Sequence, residues 1–212
     1  PSFSTRSLSS GDNIEYYASA APVIQPLTNA WTLSFRIQLV PLSGGYAQII
    51  INTVTPDFCE FVVEVFEGFM GIVANTPGGS QYYIAYTIPE TATSDWTHIA
   101  ITRDPSFVDD WTPGSCIRVF IDAVENTSGS MFSTGSYASV GATPSTLAIK
   151  AGNYTSQSAY LDEIYMCSHV CTPTEVTTVL YPNLRETDDG GWGRQFWYRI
   201  EDTDSDSTIQ NN

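Results

Sequence analysis

From Trp31 to Leu39 apolar and polar residues alternate without a break: Trp31, Leu33, Phe35, Ile37 and Leu39 against Thr32, Ser34, Arg36 and Gln38. A period of two is the signature of a β-strand with one face in a core and the other turned away from it. Comparable short runs cover Tyr46–Thr53, Cys59–Phe66, Phe69–Ala74, Gln81–Ile88, Thr97–Thr102, Ile117–Asp122, Leu147–Ala151 and Leu161–Met166. Between them lie Ser43-Gly44-Gly45, Thr76-Pro77-Gly78-Gly79, Thr112-Pro113-Gly114 and Asn126-Thr127-Ser128-Gly129, where Gly and Pro supply the dihedrals of tight connections. Strand and turn follow one another with no intervening helical pattern, which excludes a parallel βαβ sheet and predicts an all-β antiparallel sandwich of two sheets. One helix is expected near residues 172–181. Thr172-Pro173-Thr174-Glu175 combines an N-cap, a proline at the first helical position and a capping-box glutamate, ahead of the apolar Val176, Val179 and Leu180, and Pro182 ends it.

Chemistry is narrowed first by charge. Eight basic residues stand against 23 acidic ones, a net charge of −15, and Lys150 is the only lysine. No basic stripe exists to neutralise phosphates, so neither nucleic acid nor membrane insertion is expected among the partners. With 42% hydrophobic and 13% aromatic residues in 212, the chain can fill the space between two sheets as one domain. No run reaches the ~18 apolar residues of a membrane span, and the opening PSFSTRSLSSGDN has no apolar signal core. Cys59, Cys116, Cys167 and Cys171 include no CxxC pair. The reading of these as buried free thiols stands beside one in which Cys167 and Cys171 close a small loop in an oxidising compartment.

Five ordered segments, over roughly Trp31 to Pro182, carry a family resemblance. Trp96-Thr97-His98-Ile99-Ala100-Ile101-Thr102-Arg103-Asp104 resembles the W-x-H-[VI]-A-[VI]-T-R-D strand of laminin-G-like, concanavalin-type jelly rolls. Ile117 to Ala123, Ala148 to Gly152 and Tyr160 to Met166 are similar to later strands of that family, and a short helix follows at the usual interval. Ala123 departs from the pattern, because glycine is usual after the aspartate. The resemblance implies a concanavalin A-like jelly roll over residues 1–185. Residues 186–212 then form a C-terminal extension with one strand at 195–200 and a polar tail. Phe196 to Gln210 also resembles the opening strand of such a module, so this strand pairs within the domain, begins a further module, or serves as an arm to a neighbouring subunit.

Glucanases of this shape place their acids as E-x-D-x-x-E on one strand, and the chain lacks that motif; Glu60, Glu64 and Glu67 come nearest. His98 sits within a strand motif and His169 in a corner between two cysteines, so both are expected to be structural, and a His-rich metal site is not available. For sugars the candidates are exposed aromatics beside polar groups: Tyr83 and Trp111 with Asp109 and Asp110, whereas Tyr82, Ile84, Tyr86 and Ile88 read as one inward strand face. Calcium, the ion related modules hold, has hard oxygen donors in Asp12, Asn13 and Asp162, with no EF-hand spacing among them and no cofactor strictly required. The sequons Asn126-Thr127-Ser128 and Asn153-Tyr154-Thr155 matter only for a eukaryotic secretory origin.

Together these features point to a non-enzymatic structural or adhesion module on the outside of a virus particle or extracellular assembly, partnered by copies of itself or other subunits and by surface glycans. A secreted lectin-like adhesin domain is the alternative, and a glycan-processing enzyme the third.

Overall fold

The computed structural model describes residues 13–17, 30–39, 46–53, 59–66, 68–75, 80–88, 96–104, 106, 113–114, 116–136, 146–151, 159–181 and 194–198. Among the described residues there are thirteen strands: β1 (Asn13–Tyr17), β2 (Trp31–Leu39), β3 (Tyr46–Thr53), β4 (Cys59–Phe66), β5 (Phe69–Asn75), β6 (Ser80–Thr87), β7 (Thr97–Arg103), β8 (Ile117–Ile121), β9 (Val124–Asn126), β10 (Ser130–Ser136), β11 (Thr146–Ala151), β12 (Ala159–Cys167) and β13 (Arg194–Tyr198). Helix α1 occupies Pro173–Glu175 and widens over Val176–Leu180. All pairings between strands are antiparallel, in two sheets: β1-β11-β3-β4-β5-β6-β10 and β13-β12-β2-β7-β8-β9. Strand β13 hydrogen-bonds along β12 of its own chain, at the edge of the second sheet.

The inner faces meet in one core. Val63, Val65, Met70, Ile72, Ala74, Ile84, Tyr86 and Ile88 of the seven-stranded side pack with Trp31, Leu33, Phe35, Ile37, Ile99, Ile101, Ile117, Val119, Ile121, Ile164 and Met166 of the six-stranded side. Each such side chain contributes roughly 1.5–3 kcal/mol on leaving water, which is why alternation along a strand decides which face turns inward.

Strand β2 departs from the half-buried expectation. Thr32 and Ser34, on the polar side of the alternation, are as fully buried as Trp31. The cause is a third layer: Val176 and Leu180 of α1, with Cys171, lie on Ala100, Phe120, Tyr165 and Cys167 and roof the outer face of the six-stranded sheet. The capping box that positions this roof is complete. Glu175 N donates to Thr172 Oγ1 at 3.2 Å, and Thr172 N donates to Glu175 Oε2 at 2.7 Å. At the other end Tyr181 N reaches back five residues to Val176 O at 2.9 Å, a wide turn that delivers the Tyr181 carbonyl to Arg36 Nη2 at 2.6 Å.

Candidate functional site

The outward face of the seven-stranded sheet carries the first candidate. Because Tyr82, Ile84 and Tyr86 face the core, Tyr83, between Tyr82 and Ile84, faces out, half-buried. Its ring lies across Gly71 of the neighbouring strand: a Cβ at that glycine would stand 2.8 Å from the Tyr83 hydroxyl and 3.0 Å from Cε2. Only glycine lets the ring lie that flat. Phe69 lies close to parallel with it, ring centroids 6.2 Å apart at 22°. Glu64 stands in register with Gly71, and Gln48 with Glu64 on the far side. Burial first, then the Glu64 carboxylate, raises the Tyr83 phenol above its ordinary value, so it stays a neutral hydroxyl able to donate and accept. A flat aromatic platform beside an acid is suited to stacking a sugar face and holding its hydroxyls.

Under the roof helix lies a buried polar layer. His98 Nε2 and Ser34 Oγ are 2.8 Å apart, and the imidazole meets the Tyr181 ring edge-on at 5.6 Å. Arg36 Nε donates to Glu163 Oε2 at 2.9 Å, and its guanidinium lies 5.7 Å from the Tyr181 ring centre. Burial, reinforced by Arg36, lowers the His98 pKa to about 3, so the ring is neutral at physiological pH. A serine beside a neutral histidine is the start of a nucleophilic relay, yet Ser34 and His98 are both 0% exposed and no substrate reaches them. The pair is structural, as the placement of His98 within a strand motif implied.

The corner 168–171 holds the remaining chemistry. Cys167 and Cys171 carry free, buried thiols. Cys167 is the more acidic: the hydrogen bond from Cys171 holds it below its usual range, to about 7, and the same bond pushes Cys171 up. His169 Nε2 lies 3.2 and 3.1 Å from the two oxygens of Glu175. The Cys171 sulfur, the His169 ring nitrogen and a Glu175 oxygen all lie within 4.8 Å of one another. Sequence reasoning passed over this group by testing only for CxxC; the available signal was His169-x-Cys171-x3-Glu175, in which a corner and a capping-box helix fold three donors back together.

The other sequence candidates are placed as follows. Trp111, Asp109, Asp110 and Asp12 lie outside the described residues. Asn13 opens β1 opposite Lys150 in the seven-stranded sheet, whereas Asp162 lies on β12 opposite Arg36 in the six-stranded one, so the two potential calcium donors are on different sheets. Tyr82, Ile84, Tyr86 and Ile88 do form an inward face, with Tyr82 partly buried against the core. Of the sequons, Asn153 lies outside the described residues, and Asn126 is committed locally: its Nδ2 donates to Thr87 O at 2.7 Å and its Oδ1 accepts from Ser128 N at 2.9 Å.

Two antiparallel sheets over a shared core, with a roof helix on one of them, define a jelly-roll fold. The chain belongs to the concanavalin A-like lectin/glucanases superfamily, which matches residues 11–177. No curated protein matches it in sequence. Among solved structures it is similar to the binding domain of botulinum neurotoxin serotype D, at 11% identity and a TM-score of 0.56, covering 81% of this chain and 40% of that one. The binding domain of botulinum neurotoxin DC in complex with rat synaptotagmin II aligns at 11% identity and TM-score 0.52, over 79% and 39% of the two chains. The same domain in complex with SialylT aligns at 14% identity and TM-score 0.52, over 81% and 40%. The chain thus spans about two fifths of the length of these neighbours, and the likeness is one of fold.

Proposed function

We propose that this chain is a non-enzymatic exterior binding module that takes a neutral glycan on the outward face of its seven-stranded sheet, with Tyr83 as the stacking platform. The observation that carries the reading is the Tyr83 ring laid across Gly71, nearly parallel to Phe69 and beside Glu64. The sequence candidates Trp111, Asp109 and Asp110 belong to the same reading as loop contributors. That two of the solved neighbours were captured with a synaptotagmin and with SialylT supports a binding role for the fold. The acidic charge and single lysine favour an outward-facing component of a virus particle or extracellular assembly over a module that grips phosphate or lipid headgroups.

Glycoside hydrolysis needs two carboxyl groups about 5–9.5 Å apart. Among the described residues Glu64 is flanked in register by Gln48 and Gly71, and Glu60 lies four positions along the strand, about 13 Å away by strand rise. That spacing favours binding over catalysis. Among the described residues no helix is long and apolar enough to cross a membrane.

The test is calorimetry or array binding with a panel of neutral oligosaccharides. Tyr83→Ala is expected to weaken binding about five- to tenfold, the scale of one lost stacking contact. Gly71→Ala should do the same with little loss of stability, because its new methyl displaces only the outer end of the ring. If both variants bind as the native chain does, the site lies elsewhere.

A further inference from the structure

We propose that Cys171, His169 and Glu175, with Cys167 completing the set, form a binding site for a thiophilic divalent cation, zinc in the first instance, that clamps the roof helix to the six-stranded sheet. The donors come from three elements in succession: Cys167 ends β12, His169 and Cys171 lie in the corner after it, and Glu175 lies in the first turn of α1. Zinc takes four tetrahedral ligands at about 2.0–2.3 Å, which sets neighbouring donor atoms roughly 3.3–3.8 Å apart. The 3.1 and 3.2 Å between His169 Nε2 and the Glu175 oxygens are close to that spacing, and the Cys171 sulfur is within 4.8 Å of both groups. Cys167 lies beside this group, its thiol donating to the His169 carbonyl at 3.7 Å. A pair of thiols with an imidazole and one carboxylate is a soft, borderline set that selects zinc over calcium or magnesium.

The supporting shell is already built. Thr32 Oγ1 donates to the His169 carbonyl at 2.6 Å and accepts from Cys171 N at 3.0 Å, so a residue 137 positions earlier in the chain holds the corner in shape. Thr172 donates from both its backbone N, at 2.7 Å, and its hydroxyl, at 2.9 Å, to Glu175 Oε2, which orients the carboxylate with both of its oxygens facing His169 Nε2. Burial is graded across the group. The two cysteines are 0% and 1% exposed, whereas the His169 and Glu175 side chains are 34% and 29% exposed. A cation enters from the histidine side and meets the sulfurs beneath. Binding releases the thiol protons and replaces the His169–Glu175 contact with two bonds to the metal. The corner is thereby stapled between the end of a core strand and the start of the helix.

The experiment uses the full chain, reduced and stripped with chelator, then dialysed against zinc and, separately, cobalt. One metal per chain is expected, with the thiolate-to-cobalt charge-transfer absorption of a tetrahedral site and a rise in melting temperature on zinc addition. Cys171→Ser and His169→Ala should each weaken zinc by about tenfold or more, the least that loss of a direct ligand costs when outer-shell changes already cost about 10–100-fold. Glu175→Gln separates metal from fold, because glutamine still completes the capping box. Its apo melting temperature should match the native chain while its zinc affinity drops. Cys116→Ser, a buried thiol elsewhere in the core, should leave uptake unchanged. Two results overturn the proposal: a reduced, folded native chain that retains no more zinc than Cys171→Ser, or a Cys167–Cys171 disulfide, seen as the loss of two hydrogens in the intact mass, whose reduction restores no metal uptake.

Discussion

His98 shows how one side chain sets the conditions under which the whole chain is stable. Its backbone is tied into the neighbouring hairpin, with His98 N donating to Asp122 Oδ1 at 2.9 Å and Asp122 N donating to His98 O at 2.9 Å. Its ring is sealed between Ser34, Arg36 and Tyr181, and Nδ1 has no partner among the described residues. The folded pKa is about 3 against an ordinary 6.5. Between those values the unfolded chain binds a proton that the folded chain does not. Stability is therefore full above about pH 6.5 and falls as pH drops, by about 1.4 kcal/mol per unit until the folded pKa is reached. Urea midpoints at pH 7 and pH 5 should differ accordingly, and His98→Gln should flatten most of that difference. If the slope persists in the variant, the protonation lies on another group. The strand motif made His98 legible as a structural residue; its Ser34 partner, 64 positions away, was not legible at all.

At the scale of the element, the β8–β9 hairpin carries a visible strain. Asp122 and Ala123 both occupy the left-handed region, with φ of 47° and 65°. Two-residue hairpin turns need that geometry, and glycine meets it at far lower cost than alanine. The departure from family pattern at Ala123 thus has no relaxed backbone to compensate it. Ala123→Gly should stabilise the chain by about 1 kcal/mol, read as a higher urea midpoint with unchanged slope. An unchanged or lower midpoint would mean that the entropy glycine adds to the unfolded chain outweighs the relief. Elements with alternation, β2 to β8 and β11 to β12, were readable from residue order. Strands β1, β9 and β10 were not, since NIEYY, VEN and SMFSTGS are short or small and polar, and each forms by completing a sheet edge or hairpin already made by others.

For the molecule as a whole, the net charge of −15 sets which ligands can approach. Within the Debye length, about 8 Å at physiological salt, an acidic surface repels sialylated and sulfated sugars. Neutral oligosaccharides should therefore bind better than their anionic counterparts at low ionic strength, and raising salt should narrow the gap. Preference for an anionic glycan at low salt would contradict the reading. It would also point to a local basic contact strong enough to overcome the global field, of which Lys150 is the only lysine available.

The division between sequence and structure follows from the range of each interaction. Alternation, turn residues and the capping box are local properties, so the sequence by itself determined the all-β class, most strand positions and the start of the roof helix. It also determined that Tyr83 lies on the opposite side of β6 from Ile84 and Tyr86. Only the tertiary structure decided what covers each face, because that depends on register with distant partners. Gly71 comes under the Tyr83 ring through the β5–β6 pairing, while α1 folds over Thr32 and Ser34 and buries the polar side of β2. The His169, Cys171 and Glu175 donors meet for the same reason. Their spacing in sequence permits the approach, and the Thr32 hydroxyl, brought in by β2, holds the corner that achieves it.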